Sequence, residues 1–572
     1  MSSSNLSTLQ RASLVLLSLV IVAFGQPAWS WWMGLIAAFI GYALFWRVLL
    51  DLPKLKTRFI VGAIWFTAVQ YIQLSWAVAH PYFYIYFIYT FFAVTMGAQF
   101  GVLAMLITPK RISNLLQLVV IASVWTLMEW VRLFFLSGVS WNPIGMALTG
   151  GLYPLQMASL WGIYGLSFWV MLVNLLALRA WYLGFSLRPA ALWLIAASVP
   201  YLYGYVHVAV HTQEMAKQGA KTLNVALVQT AFPAEETIDF ADRKQLIAHI
   251  IGEWVQILQA ASSQKGQPID LMVFPEYAVP CGTYTCVFPY SVVKEAFTQI
   301  FGPESLAALP PLESPFAQEW KTAQGTTVHM VNNAFWAQGL ANFFKTGVVI
   351  GLEDVEDLAS GDREHYSAAL YFVPMETQDL DQLSIQRYEK RVLVPLGEYI
   401  PFAFVKAIAA DYGIKGSFTC GKEAKVFHTT NGHPFGISIC YEETFGDLTR
   451  ENKHCGAQLL VNLTSGAWYP YSRLPQQHFT HARLRTVEGG FPLVRSSNIG
   501  VTAAVDSLGR TVAALGQEAP NSEWLQDSIR IQVPTYTYST VYSHTGDALI
   551  VGICALSSLF ALRKGRKDEN DK

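Results

Sequence analysis

Asp51 and Glu129 are the only two acids up to Val210, while all the others lie after His211. Long apolar runs separate the few charges of that first stretch, and a water-soluble fold does not cover itself with so little polar surface. The chain therefore reads as a membrane part followed by a water-soluble part. Composition agrees: 53% of residues are hydrophobic and 14% charged, with a mean hydropathy of +0.32. A single soluble domain is excluded. The 39 Lys and Arg nearly cancel the 40 Asp and Glu, leaving a net charge of -1, so no global basic field argues for a nucleic-acid partner.

Apolar segments at 12–24, 33–45, 59–79, 84–107, 115–136, 160–178 and 190–210 read as seven spanning helices of a bundle over residues 1–210. Residues 546–572 supply a last span, 548–562, and a basic tail. The first segment reads as a span rather than a signal-peptide core, flanking Trp residues and tilt making up for its length. Bases fall in alternate connections, at Arg47 to Arg58, at Lys110 with Arg111 and at Arg179 to Arg188, and again after the last span at Arg563 to Lys567. All four clusters land on one side. With the positive-inside rule that side is the cytoplasm, which leaves residues 211–545 outside it. Glu129 and Arg132 stand one turn apart inside the fifth span, either a functional pair or a structural one that fixes packing. The segment 135–145, broken by Gly and Pro, reads as an outward-facing re-entrant loop rather than a span.

After His211 the pattern changes to β-rich runs, at 223–229, 269–276, 346–353, 367–374, 433–440 and 457–464, alternating with helices. This is an α/β domain of enzyme size. Glu276 ends one run, Lys390 sits in YEKRVLVPLGEYIPF (388–402), and Cys440 ends another. Strand ends are where layered α/β folds assemble their sites. A Cys at a strand-to-helix turn is expected to have its thiolate favoured by helix amides and by a nearby ammonium. Such a sulfur attacks carbonyl carbon, and a carboxylate beside it takes the proton and hands it to the leaving group.

FPEYAVP (274–280), the Lys segment above and ICYEETFGD (439–447), in that order, resemble the Glu, Lys and Cys motifs of the nitrilase superfamily. The long middle motif resembles its membrane branch, the apolipoprotein N-acyltransferases. Further similarity runs through 462–490, 496–510 and, within the bundle, 128–141. The resemblance implies a multi-span helical bundle joined to an extracytoplasmic nitrilase-like αββα sandwich. It implies a Glu276, Lys390 and Cys440 triad in a bacterial inner membrane, facing the periplasm. Cys440 would take an acyl chain from a membrane phospholipid and pass it to the N-terminal diacylglyceryl-cysteine of an apolipoprotein, with no cofactor and no metal. Lys390 and the Tyr441 amide would hold the oxyanion, while Glu398 and Glu442 would keep the Lys and the substrate in place. The partners are thus membrane lipid and lipoprotein, acting on a monomer. Phe274 in place of Trp, TSGAWYP at 464–470 and VQTAF at 228–232 depart from the family pattern, so donor preference is not carried over.

A membrane-tethered amidase using water is the alternative within the superfamily. A transporter or receptor is the alternative outside it, disfavoured by the scarcity of ionisable groups in the spans. The segments 332–344 and 399–413 read either as loops dipping into the membrane interface or as core. His478 and His481 read as a helix surface rather than a metal site. The pairing of Cys281, Cys286, Cys420 and Cys455 is left open, and the glycosylation-type triplet at Asn462 is discounted because it completes a buried-looking strand.

Overall fold

The computed structural model describes residues 6–219, 221–234, 240–322, 325–375, 380, 383–401, 418–517 and 519–570, side chains excepted at 562 and 564–570. Contacts divide the chain into two compact units: residues 1–219, 469–490 and 539–572 form one, and residues 220–468 and 491–538 the other.

The first unit is helical, and the protein is a membrane protein. Five of its helices are long and apolar enough to cross a bilayer: Trp31–Leu49, Ile85–Leu106, Leu115–Phe134, Ala158–Tyr182 and Leu187–Lys217. Thr8–Ala23 and Ala548–Ala561 are shorter apolar helices, and Leu55–Gln73 carries Lys56 and Arg58 in its first turn. Apolar side chains gain nothing from leaving lipid for a helix interface, so such helices associate through close backbone approach and polar contacts. Both occur here. A Cβ on Gly97 would come within 2.7 Å of the Ala63 carbonyl, and one on Gly101 within 2.8 Å of the Phe59 carbonyl. The π-helical turn Ala37–Gly41 breaks the regular ladder, and buried Asn174 bridges the break. Its Oδ1 accepts from the Tyr42 and Ala43 amides at 2.9 and 3.2 Å, while its Nδ2 donates to the Ala37 and Ala38 carbonyls at 3.1 and 2.9 Å.

The segment 135–145 forms no span. Ser140, Asn142 and Ile144 along it are buried, and it leads into the 3₁₀ turn Ile144–Leu148. Glu129 accepts from the Ile144 amide at 2.9 Å and so pins the turn, while Arg132 donates to Gln99 at 2.7 Å. The helix Leu474–Gly489 also belongs to this unit and adds a second buried pair, Arg485 with Glu488 at 2.8 Å. His478 and His481 do not form a helix surface as expected. Both are buried, and His481 Nε2 donates to the Trp141 carbonyl at 3.0 Å.

The second unit is a layered α/β domain. One six-stranded sheet runs Asp527–Pro534, Thr222–Gln229, Leu271–Val273, Gly347–Asp357, Arg363–Phe372, Ile385–Glu389 from edge to edge. The other runs Thr511–Ala514, Ala503–Val505, Leu493–Ser497, Leu459–Thr464, Pro434–Ile439, Val426–His428. The central pairs are parallel, with both faces covered, which is why their strands read as continuous apolar runs. Val225 and Leu227 of the first sheet share a core with Ile437, Ile439, Val461 and Leu463 of the second. Alternate residues such as Ala226, Val228, Val348 and Ile350 face the helices Arg243–Ser262 and Asn333–Phe344 on the outside. On the second sheet, Gly446–His454 packs against Pro434–Ile439. The layers are helix, sheet, sheet, helix.

Asn333–Phe344 settles one open reading, since it is a core helix and not an interfacial loop. Its buried Asn333 accepts from the Trp254 indole at 2.8 Å. The companion segment, 399–413, lies mostly outside the described residues.

Candidate active site

Glu276, Lys390 and Cys440 each follow a strand whose residues are anchored in the sandwich core. Past Leu271–Val273 the chain keeps its hold on the neighbouring strand: Phe274 N donates to Val349 O at 2.8 Å, Gly351 N to Pro275 O at 3.0 Å and Ala278 N to Gly351 O at 2.9 Å. Glu276 is thus pressed against Gly351, where a Cβ would stand 2.5 Å from the Glu276 Cα. Lys390 follows Ile385–Glu389 and is clamped on both sides of its peptide. Its N–H donates to Ser367 O at 2.9 Å, and its carbonyl accepts from Gly421 N at 2.8 Å. Cys440 follows Pro434–Ile439 and opens the 3₁₀ turn Cys440–Thr444 with a φ of 49°, left-handed for a residue with a Cβ. That sharp turn brings the sulfur off the end of the strand.

The three positions converge on one charge cluster. Lys390 Nζ donates to Glu276 Oε1 at 2.9 Å and to Glu398 Oε1 at 2.6 Å, and the ammonium is 1% exposed. Glu398 is itself held, its second oxygen accepting from Val394 N at 2.8 Å. The Cys440 sulfur lies 4.0 Å from Ser465 O and close enough to Glu276 and Lys390 to feel both charges. Burial works against the Lys390 charge, but Glu276 and Glu398 outweigh it and hold the ammonium well above its ordinary pKa. Burial pushes the Glu276 carboxyl up, Lys390 opposing it.

The surroundings of Cys440 work against the thiolate expected from sequence. Burial, joined by the Glu276 charge, pushes the Cys440 thiol up to about 12, and Lys390 does not reverse this. One ammonium shared by two carboxylates leaves a net negative surrounding, and the turn after Cys440 is too short to add an α-helix's field. A thiol raised in this way is neutral at rest, and Glu276 is the carboxylate placed to take its proton as the sulfur attacks.

Glu442 ties the Cys and Lys turns together. Its Oε2 accepts from Ile439 N and from Tyr388 OH, both at 2.8 Å, and its Oε1 accepts from Arg391 N at 2.5 Å and Val392 N at 3.2 Å. Those donors flank Cys440 on one side and Lys390 on the other. Burial pushes the Glu442 carboxyl up against the pull of Ile439, Arg391 and Tyr388. Tyr441, one residue past the sulfur, is buried edge-on against Phe445 with ring centroids 5.0 Å apart. Sequence reasoning missed the other supports. Tyr388 and Arg391 sit inside the quoted Lys motif, Glu443 inside the Cys motif, and buried Arg495 pairs with Glu443. Tyr388 precedes Lys390 by two, the period of a strand face, and that spacing was the available signal.

Among the described residues no three His, Cys, Asp or Glu side chains gather as a metal set. All six cysteines are free thiols, Cys281 and Cys286 included. Asn462 is fully buried in its strand, which removes it as a glycosylation acceptor.

Residues 18–176 match the family described as apolipoprotein N-acyltransferase N-terminal domain, and residues 224–522 match carbon-nitrogen hydrolase. The chain is similar to the apolipoprotein N-acyltransferase of Chlamydia pneumoniae, 32% identical over 563 residues that cover 95% of this chain and 96% of the relative. It is also similar to that of Geobacter metallireducens, 28% identical over 455 residues, 77% of this chain and 73% of the relative.

Proposed function

Because the chain belongs to the apolipoprotein N-acyltransferase family, and is thus an acyltransferase, we propose that it moves an acyl chain from a membrane phospholipid to a lipoprotein amine through Cys440. The observation that carries this reading is the buried Lys390 ammonium donating to Glu276 at 2.9 Å, beside a Cys440 sulfur that feels both charges. In the first half-reaction the sulfur attacks the ester carbonyl carbon while its proton passes to Glu276. The oxyanion forms against Lys390 and the Tyr441 amide, contacts of a kind that contribute about 3 to 4 kcal/mol each. Collapse breaks the ester C–O bond, Glu276 returns the proton to the departing oxygen, and a lysophospholipid leaves behind a Cys440 thioester.

In the second half-reaction the α-amine of a diacylglyceryl-cysteine attacks the thioester carbon and loses a proton to Glu276. The C–S bond breaks, the sulfur takes the proton back, and the amide product leaves. Donor and acceptor are both held in one bilayer, so a membrane-anchored enzyme meets them at high effective concentration. The basic connections fall on one side of the spans, which favours an inner-membrane protein whose site faces the periplasm.

The test is to incubate the full-length enzyme with phospholipid and a synthetic diacylated lipopeptide. Lysophospholipid and N-acyl lipopeptide in equal amounts support the proposal. Free fatty acid with unmodified lipopeptide would make the enzyme a hydrolase.

A further inference from the structure

The arginines of the helical unit are mostly satisfied by protein. Arg47 pairs with Asp51 at 2.9 Å, Arg58 donates to the Leu52 and Ile107 carbonyls at 2.7 and 2.8 Å, and Arg132 donates to Gln99 at 2.7 Å. Arg179 and Arg188 are different. Among the described residues neither side chain has an acid or an acceptor, and Arg179 Nε is buried without a hydrogen bond. A buried guanidinium nitrogen left in this state asks for an anion.

Both side chains line an open groove of about 500 Å³. Its polar lining is Ser186 and the two arginines, and its apolar lining is Leu115, Leu187, Pro189 and Leu192. Among the described residues no carboxylate lines it. Leu187 is 85% exposed and Leu115 46%. The groove lies where one apolar helix ends, Ala158–Tyr182, and two begin, Leu115–Val131 and Leu187–Lys217. Helix ends of this kind sit at headgroup depth. Ser186 precedes the 31-residue helix Leu187–Lys217 without its side chain capping the helix, and the positive end of that helix adds to the two arginines.

We propose that this groove binds one anionic phospholipid, with its phosphate between Arg179 and Arg188 and an acyl chain along Leu115, Leu187 and Leu192. Two uncompensated cations with no acid nearby select a net negative headgroup over a zwitterionic one, whose ammonium would find no partner. The apolar side selects a lipid over a free anion, since only an acyl chain covers those leucines. None of the groove residues belongs to the candidate active site, so the lipid acts as a bound structural partner rather than as substrate.

The test uses the full-length enzyme in neutral detergent, titrated with dioleoyl-phosphatidylglycerol, dioleoyl-phosphatidylcholine or inorganic phosphate, and read by native mass spectrometry. Wild type is expected to retain phosphatidylglycerol about 30-fold more tightly than phosphatidylcholine, roughly fivefold for each Arg. Arg179→Gln with Arg188→Gln should bring the two lipids to near equality. Lys54→Gln with Lys56→Gln, at exposed bases in another connection, should leave the preference intact. Because the double Arg variant is open to misfolding, wild type is also labelled with a phosphatidylglycerol carrying a diazirine on its acyl chain. Crosslinks are then expected in the peptides holding Leu115 and residues 187–192. Equal retention of the two lipids by wild type, an unchanged preference in a folded double Arg variant, or crosslinks spread over the whole apolar surface would overturn the proposal. So would displacement of the lipid by phosphate at equal concentration.

Discussion

Replacing Glu442 by Gln removes one charge and keeps the side chain's size. The carboxylate receives two donors on each oxygen, Arg391 N and Val392 N on one and Ile439 N and Tyr388 OH on the other. A Gln amide must turn its NH₂ towards one of these pairs. Facing Arg391 and Val392, it would set a donor against two backbone donors that cannot turn away. Facing Ile439 and Tyr388, it strands one buried amide while the Tyr388 hydroxyl rotates to accept. The second arrangement costs less. One unsatisfied buried amide is worth about 1 to 3 kcal/mol, and the bonds that remain lose their charge assistance. After allowing for the smaller desolvation of a neutral amide, the variant should be about 2 to 4 kcal/mol less stable locally.

Because those donors flank both Lys390 and Cys440, part of that loss falls on the acylation step. If a third of it does, acylation slows about 3- to 10-fold at 1.4 kcal/mol per tenfold. Single-turnover acylation of Cys440 by phospholipid, followed by intact-protein mass spectrometry, reads the rate, and thermal unfolding in detergent reads the stability. Glu442→Gln with wild-type acylation and an unchanged midpoint would refute the idea that this carboxylate joins the two turns.

The Cys440 thiol, pushed up to about 12 by burial and Glu276, is protonated at neutral pH, and its alkylation by iodoacetamide should climb about tenfold per pH unit through pH 9; a plateau below that pH would contradict it. Gly351→Ala places a methyl 2.5 Å from the Glu276 Cα and 2.6 Å from Pro275 O. Neither atom can move freely, so acylation should fall by about 100-fold with circular dichroism unchanged, and wild-type acylation would count against this placement. Asn174→Ala strands the Tyr42 and Ala43 amides at the π turn, and its thermal midpoint in detergent should drop by an amount equivalent to about 1 to 3 kcal/mol.

Much of the candidate site was legible in sequence because Glu276 and Cys440 close apolar strand runs of a layered core, while Lys390 was marked by its motif rather than by its largely polar strand. The resting state of Cys440 was not. Proximity of Lys390 pointed to a thiolate, but Glu398, eight residues further along, shares the ammonium and turns the local charge negative. His478 and His481 misled for a different reason. The polar side chains of Leu474–Gly489 look solvated in sequence, yet Gln477 and His481 both donate to the Trp141 carbonyl, at 3.0 Å each. Satisfied buried polar groups carry no periodic signal, because the partner lies more than 300 residues away in the chain. Asn333–Phe344 looked ambiguous because its aromatic residues suit a membrane interface and a core equally. Its N-cap, Asn332 accepting from Phe335 N at 3.1 Å, was the local sign of a helix.

The most direct measurement is the mass of the enzyme after incubation with a phospholipid of defined acyl composition and no acceptor. The account predicts one added acyl chain, mapped by peptide sequencing to Cys440, lost on addition of a diacylated lipopeptide with matching gain of mass by the lipopeptide, and absent from Cys440→Ala. An acyl chain on any other residue, or lipopeptide acylation that survives in Cys440→Ala, would contradict it.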